Sequence, residues 1–212
     1  MSWQKEVVEI ERKRALALEL GGEDSVARQH AKDRQTVRER IAMLVDNGSF
    51  QEIGSGAGGA ERSEDGSLKS FTPANFVLGF ATIDRRRCVV GGEDFTVKGG
   101  SPNEAGLRKS VYAEQLALQY RVPLIRLHEG GGGSVGGTGS TSARPPVFSG
   151  HRFRTVAETL SAVPVATAAL GPVAGLPASR LVAAHLSVMS KETAQKRDRN
   201  RLADNTNVIR HI

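Results

Sequence analysis

The sequence predicts an α/β fold in which helices cover a largely parallel sheet, and three observations carry that prediction. From Phe76 onward, strand-like and helix-like patterns alternate as strand, strand, helix, strand, helix, strand, helix, strand, which is the order that lays helices on a parallel sheet. Two short apolar runs, 124–127 and 163–170, read as buried strands, and each leads into a glycine turn, at 130–133 and 171–175. Capping sequences open helices between the runs, most clearly Ser101-Pro-Asn-Glu104, with Ser101 as N-cap and proline at the first helical position.

The elements follow in order. Trp3, Val7, Ile10, Ala17 and Leu18 share one helical stripe, which predicts a docking helix stopped by Gly21-Gly22. A second helical region begins near Asp24, and Thr36-Val-Arg-Glu39 is a capping box for a third helix with Ile41, Leu44 and Val45 inward; Asp46-Asn-Gly-Ser49 ends it. Residues 54–70 are glycine-rich and charged, and read as a mobile loop or insertion. Residues 76–83 and 88–91 flank a turn and form a hairpin, followed by a glycine-bearing bend at 94–100. The helix from Ser101 runs to about Gln119 with Leu107, Val111 and Leu118 facing one way, and delivers the chain into the strand at 124–127. Beyond a loop at 140–146 come a helix at 151–161, the strand at 163–170, a small-residue helix at 176–185 and a last strand at 186–189.

Composition narrows the function. With 212 residues and 39% apolar content the chain can bury a core of its own. No apolar run is long enough to span a bilayer, and the lone Cys88 fits a cytoplasmic location, so neither a membrane nor a disulfide is expected. The net charge is +6, but residues 191–212 carry six basic and three acidic side chains, and the rest of the excess is interspersed with acids and poor in aromatics, which speaks against nucleic acid. The basic cluster Arg28, His30, Lys32, Arg34, Arg38 and Arg40 reads as a solvated helix face or as a phosphate grip. Gly131-x-Gly133-x-x-Gly136 follows a strand, yet no helix can follow it, so a dinucleotide fingerprint is excluded, as is a P-loop, for want of Gly-Lys-Ser/Thr. No Cys or His spacing suggests a metal. What remains is two glycine turns able to offer backbone N–H donors, and His128 with Glu129 at a strand end, either an acid–base pair or a partly exposed polar terminus.

Four segments, in order and at familiar spacing, resemble the carboxyltransferase (beta) subunits of biotin-dependent acyl-CoA carboxylases of the propionyl-CoA and methylcrotonoyl-CoA type. They are ARQHAKDRQTVRERIAMLVDNGSF (27–50), EDFTVKGGS (93–101), PLIRLHEGGGGSV (123–135) and VPVATAALGPVAGLPASRLVAAHLSVMSKETAQ (163–195). The resemblance implies a crotonase-like (ClpP/crotonase) spiral of ββα units behind an N-terminal helical segment. It divides the chain into helices at 1–50, an acyl-CoA carboxyltransferase N-terminal domain at 51–195 and a polar tail at 196–212, without the biotin-holding second domain. The family's acid-Ser-Gly-Gly-Ala motif stands here as Glu129-Gly-Gly-Gly-Gly133, and its Gly-Pro-Cys-Ala-Gly-Gly turn as Gly171-Pro-Val-Ala-Gly-Leu176, so Leu176 replaces a glycine.

By the same resemblance, Gly175 and Leu176 stabilise an enolate through backbone N–H groups, Gly131, Gly132 and Gly133 line the site, and Lys98, Gly99 and Gly100 shape the CoA region. The implied substrate is acyl-CoA, the implied cofactor carboxybiotin on a partner carrier, and the implied partners a biotin carboxylase or biotin carrier (alpha) subunit in a homo- or hetero-oligomer, with no metal. A half of this kind is expected to bind acyl-CoA without turning it over alone. Two alternatives stand beside it: a biotin-independent crotonase-like enzyme with His128 or Glu129 as base, and a non-catalytic subunit that only assembles with a partner.

Overall fold

The computed structural model describes residues 2–101, 103–130, 152–191, 193 and 195–197. Three helices open the chain, α1 (Gln4–Leu18), α2 (Glu23–His30) and α3 (Val37–Leu44). The third starts where its capping box requires: the Thr36 hydroxyl accepts from the Glu39 N–H while the Glu39 carboxylate accepts from the Thr36 N–H. Strands β1 (Gln51–Glu52), β4 (Phe76–Ile83), β5 (Arg86–Glu93), β6 (Leu124–Gly130), β7 (Val165–Ala174) and β8 (Leu186–Met189) line up in that order in one sheet. β4 is antiparallel to β1 and β5, whereas β5 through β8 run parallel, joined by α4 (Glu104–Tyr120), α5 (Arg152–Ala162) and α6 (Leu176–Val182).

Period-two alternation in β4 and β5 splits the core between two faces. Phe76, Leu78, Phe80 and Val89 pack with Ala113, Leu116 and Ala117 of α4, while Val77, Cys88 and Val90 turn the other way to meet Val37 and Ile41 of α3. The sheet is therefore covered by α4 and α5 on one side and by the N-terminal helices on the other, and no described helix is long and apolar enough to cross a membrane.

Several expectations are corrected. Residues 54–70 are not a structureless loop: β2 (Gly58–Arg62) and β3 (Leu68–Pro73) pair as an antiparallel hairpin that packs on α1. Its strands are exposed along nearly their whole length, so they lack the buried alternation by which a sequence announces a strand. The α1 stripe does not dock, since only Ala17 of it is buried and Trp3 is 71% exposed. Asn103, not Ser101, caps α4, because its Oδ1 accepts from the Gly106 N–H at 2.7 Å. Within α3, Ile41 is buried but Leu44 is exposed. The turn placed at 171–175 is strand as far as Ala174, α6 stops at Val182, and β9 (Gln195–Arg197) adds beside Pro172–Ala174, where only a polar tail was expected beyond 195.

Candidate functional site

Parallel strands place their carboxyl ends on one rim of a sheet, and there Glu93, Gly130 and Ala174 close β5, β6 and β7. The chain leaves β5 through a turn in which Lys98, Gly99 and Gly100 all take left-handed conformations, with φ of 52°, 63° and 66°. Gly100 is needed there for its φ and for its surroundings: a Cβ would stand 2.6 Å from the Glu129 carbonyl oxygen and 2.7 Å from the Gly130 Cα. The bend thus presses its backbone against the end of β6. On the far side, Gly175 (φ 65°, ψ −133°) turns the chain from β7 into α6.

Between these two backbone features lies a small solvent-open cleft, lined among others by Asn75, Phe76, Glu93, Gly100, Leu176 and Arg180. Two of the residues singled out from the sequence, Gly100 and Leu176, therefore share one cleft, and Gly175 adjoins it in the chain. Lys98 is exposed and does not line it, nor does Gly99. Gly131, Gly132 and Gly133 lie outside the described residues.

His128 and Glu129 are neither an open acid–base pair nor a partly exposed terminus; both are buried and partnered. The His128 Nδ1 sits 3.1 Å from a Glu93 carboxylate oxygen. Burial raises the Glu93 pKa, but His128, and after it Arg126, outweigh that and hold it below the usual carboxylate range. Glu129 accepts from Arg40 and, at 2.8 Å, from the Gln29 side-chain amide, with Arg34 at 3.5 Å from its other oxygen. It fits because β7 carries two extra residues opposite it and because Gly171 lacks a Cβ, which would stand 2.2 Å from the Glu129 Oε1. The basic cluster of 28–40 is accordingly neither a solvated face nor an open phosphate grip in its main members: Arg40 and Arg34 face Glu129, Arg38 holds Glu52, and Arg28, His30 and Lys32 are exposed.

A second buried group was missed by pattern reasoning. The Glu114 Oε1, from α4, accepts from Arg126 Nη2 of β6 at 2.7 Å and from Arg180 Nε of α6 at 2.8 Å. Ser110 ties both arginines again, through its carbonyl to Arg126 and its hydroxyl to Arg180 Nη1. Burial first, and then Arg180, pull the Arg126 pKa down to about 10. The usable signal was a charge inside an apolar run: Arg126 interrupts PLIRLH at a position whose neighbours must be buried. Lys109, five residues before Glu114 on α4, is also buried, and burial pushes its pKa down to about 8 despite Glu52 at 3.7 Å.

Comparison with known proteins follows this geometry. Residues 28–198 match the family described as the carboxyl transferase domain. The chain is 37% identical over 131 residues to the propionyl-CoA carboxylase beta chain of Saccharopolyspora erythraea, covering 61% of this chain and 24% of that one. It is 34% identical over 170 residues to the propionyl-CoA carboxylase beta chain of Cereibacter sphaeroides, covering 79% and 32%. Among solved structures, transcarboxylase 12S with methylmalonyl-coenzyme A and methylmalonic acid bound superposes with a TM-score of 0.68 at 26% identity, over 92% of this chain and 38% of that one. The fold is thus the crotonase-like α/β fold of carboxyltransferases, and the chain spans about a quarter to two-fifths of the length of the relatives it matches.

Proposed function

The chain belongs to the carboxyl transferase domain family, and on that premise we propose that its cleft is the acyl-thioester half of a biotin-dependent acyl-CoA carboxylase site. The observation that carries the reading is the meeting of Gly100 and Leu176 in one cleft at the carboxyl ends of the parallel strands. In this reading the thioester oxygen lies against the N–H groups of Gly175 and Leu176, at the start of α6, where backbone donors lack helical acceptors. The bend of Lys98, Gly99 and Gly100 bounds the CoA portion. Carboxybiotin on a partner carrier (alpha) subunit would supply the CO2 and the ureido nitrogen that takes the α-proton.

An external base suits the residues present. Among the described residues lining the cleft, Glu93 is the only carboxylate, and it faces His128. Glu129 is behind Arg40. The chain's own part is then to hold the thioester, to stabilise negative charge on its oxygen as the α-carbon loses a proton, and to keep that carbon open to CO2 as the new carbon–carbon bond forms. The burial of both His128 and Glu129, with Glu129 held by Arg40, argues against a biotin-independent reaction that uses either as base.

Calorimetry on the 212-residue chain tests the reading. Acetyl-CoA and propionyl-CoA should bind measurably better than acetate and propionate, because much of the affinity comes from the CoA portion. Equal or absent heats for esters and free acids would reject it.

A further inference from the structure

Lys109 lies inside the fold, 8% exposed, whereas Lys5, Lys32 and Lys69 are exposed. Its side chain lines a small open pocket where α1, α3, β1 and the hairpin of β2 and β3 meet α4, with Arg38, Glu52, Ala57 and Asp94 among the other walls. The amine end is the part that reaches this pocket. A Cβ on Gly54 would stand 3.8 Å from the Lys109 Cε and 4.0 Å from the Ala57 Cβ, and the Lys109 Nζ is 3.7 Å from the Glu52 Oε1.

No carboxylate there belongs to the ammonium alone. Arg38 grips Glu52 at two points, at 2.8 and 3.2 Å. Asp94 accepts from the Thr96 N–H at 2.9 Å and from the Thr96 hydroxyl at 2.6 Å. Lys109 is left with the longer approach to Glu52, beside the Arg38 guanidinium. Burial and a neighbouring like charge both favour the neutral amine. The pKa of about 8 agrees: burial is its largest cause, Glu52 opposes it, and Arg38 adds to it. Near neutral pH, at about 7.5, roughly a quarter of such an amine is unprotonated, against about 0.1% of an exposed lysine. A lysine desolvated beside another cation is a nucleophile.

We infer that Lys109 is a site of covalent self-acylation, at which a short acyl group passes from a thioester to the lysine amine between Arg38 and Glu52. The amine lone pair attacks the thioester carbonyl carbon, the nitrogen–carbon bond forms, the carbon–sulfur bond breaks, and the thiolate leaves. The proton shed by the nitrogen passes to the Glu52 carboxylate, 3.7 Å away, and from there to the thiolate. The products are an Nε-acyl-lysine and a free thiol. The acyl-lysine is neutral, so the buried ammonium disappears and Glu52 keeps Arg38 as its one counter-charge in the pocket. This pocket is not the cleft of Gly100 and Leu176, although α4 lines both, and the inference does not depend on what the cleft binds.

The test exposes the full chain to propionyl-CoA and, separately, to S-propionyl-N-acetylcysteamine, a thioester without the CoA nucleotide, over a range of pH, and maps the acylated lysines by peptide mass spectrometry. With either thioester at pH near 7.5, Lys109 should react at least about threefold faster than Lys5, Lys32 and Lys69; the rest of its advantage in unprotonated amine is lost because a less basic amine is a weaker nucleophile and a buried one is harder to reach. Its rate should level off above pH about 8, where the exposed lysines still gain about tenfold per pH unit. In urea the lead and the plateau should both vanish, and Lys109→Arg should remove this one modified peptide and leave the others. The unaltered chain decides the matter, so no failure of a variant to fold can shelter the inference. Lys109 left unmodified while exposed lysines react overturns it. So does a Lys109 rate that keeps climbing with theirs, the mark of an ordinary amine. Acylation by the CoA ester alone would trace the selectivity to docking of CoA and not to the amine, and overturns it as well.

Discussion

Arg40→Met is the most direct probe of how the N-terminal helices are held to the site. The change removes the main partner of Glu129, a carboxylate 1% exposed at the end of β6. Taking away one partner of a buried ion pair costs about 3–5 kcal/mol, because the other charge stays buried without compensation. Here the lower end is expected: Gln29 still donates at 2.8 Å, and Arg34, which is partly exposed, can close its 3.5 Å gap to the other oxygen. A loss of about 3 kcal/mol is a large share of the roughly 5–15 kcal/mol a domain possesses, and at about 2–4 °C per kcal/mol it lowers Tm by roughly 6–12 °C. Glu129→Gln should cost a similar amount by leaving the buried Arg40 without a counter-charge, beside an amide oxygen and the Leu170 carbonyl at 3.2 Å. In the double variant both charges are gone, so the combined loss should fall short of the sum of the singles by at least about 2 kcal/mol. Urea denaturation of the four proteins measures this. Single losses below about 0.5 kcal/mol, or strict additivity, would refute the view that this pair pins α2 and α3 to the strand ends.

Three further outcomes are expected. Gly100→Ala puts a Cβ 2.6 Å from the Glu129 carbonyl oxygen at a φ of 66°, so it should push the bend off β6 and weaken propionyl-CoA binding at least about tenfold, read by calorimetry with a melting curve as folding control; unchanged affinity in a folded variant would count against the bend. Leu176→Pro deletes one proposed oxyanion donor and should lower kcat about 10²–10³-fold in a system reconstituted with biotin carboxylase, carrier and a C-terminal carboxyltransferase half, whereas Leu176→Gly keeps the N–H and the activity; normal turnover by folded Leu176→Pro would remove the assignment. Lys109 has a folded pKa of about 8 against 10.5 when unfolded, so between those values the unfolded chain binds more protons and stability rises with pH, the penalty being in full force below about 8. Lys109→Met should abolish most of that rise, which spans roughly 3 kcal/mol, and a wild-type stability flat from pH 8 to 10.5 would contradict it.

How far the sequence could be read depended on what each segment buries. The parallel strands and α4 were legible because their apolar residues must face a core, and α3 because its capping box is a local hydrogen-bond pattern. The hairpin of β2 and β3 was not, since its residues are exposed and no burial pattern marks them. The cap of α4 was misplaced by two residues because Ser101 and Asn103 are both good caps, and only tertiary contact decides between them: the Asn103 backbone N–H donates to Asn75, which fixes the chain there. In the site, Gly100 and Leu176 could be nominated from sequence, but Arg126, Glu114 and Arg180 could not be joined. They lie on three separate elements, up to 66 residues apart, and only the packing of α4 and α6 against β6 brings them together.

The pairing of the two rim carboxylates bears on the chemistry as much as on stability. If an enolate forms beside Leu176, a negative charge develops in the cleft, and a lone carboxylate about 4 Å away would oppose it by about 4 kcal/mol at an effective dielectric near 20. Glu93 and Glu129 stand at the carboxyl ends of β5 and β6; Glu93 faces His128, and Glu129 is paired with Arg40. Glu129, held by Arg40, is thereby withheld as a base and its charge is offset. Arg180, which also lines the cleft, is a cation paired with Glu114 at 2.8 Å. A rim with Glu129 paired to Arg40 and a guanidinium in the cleft lining tolerates negative charge on a ligand, which suits a carboxyltransfer whose base arrives with the second substrate.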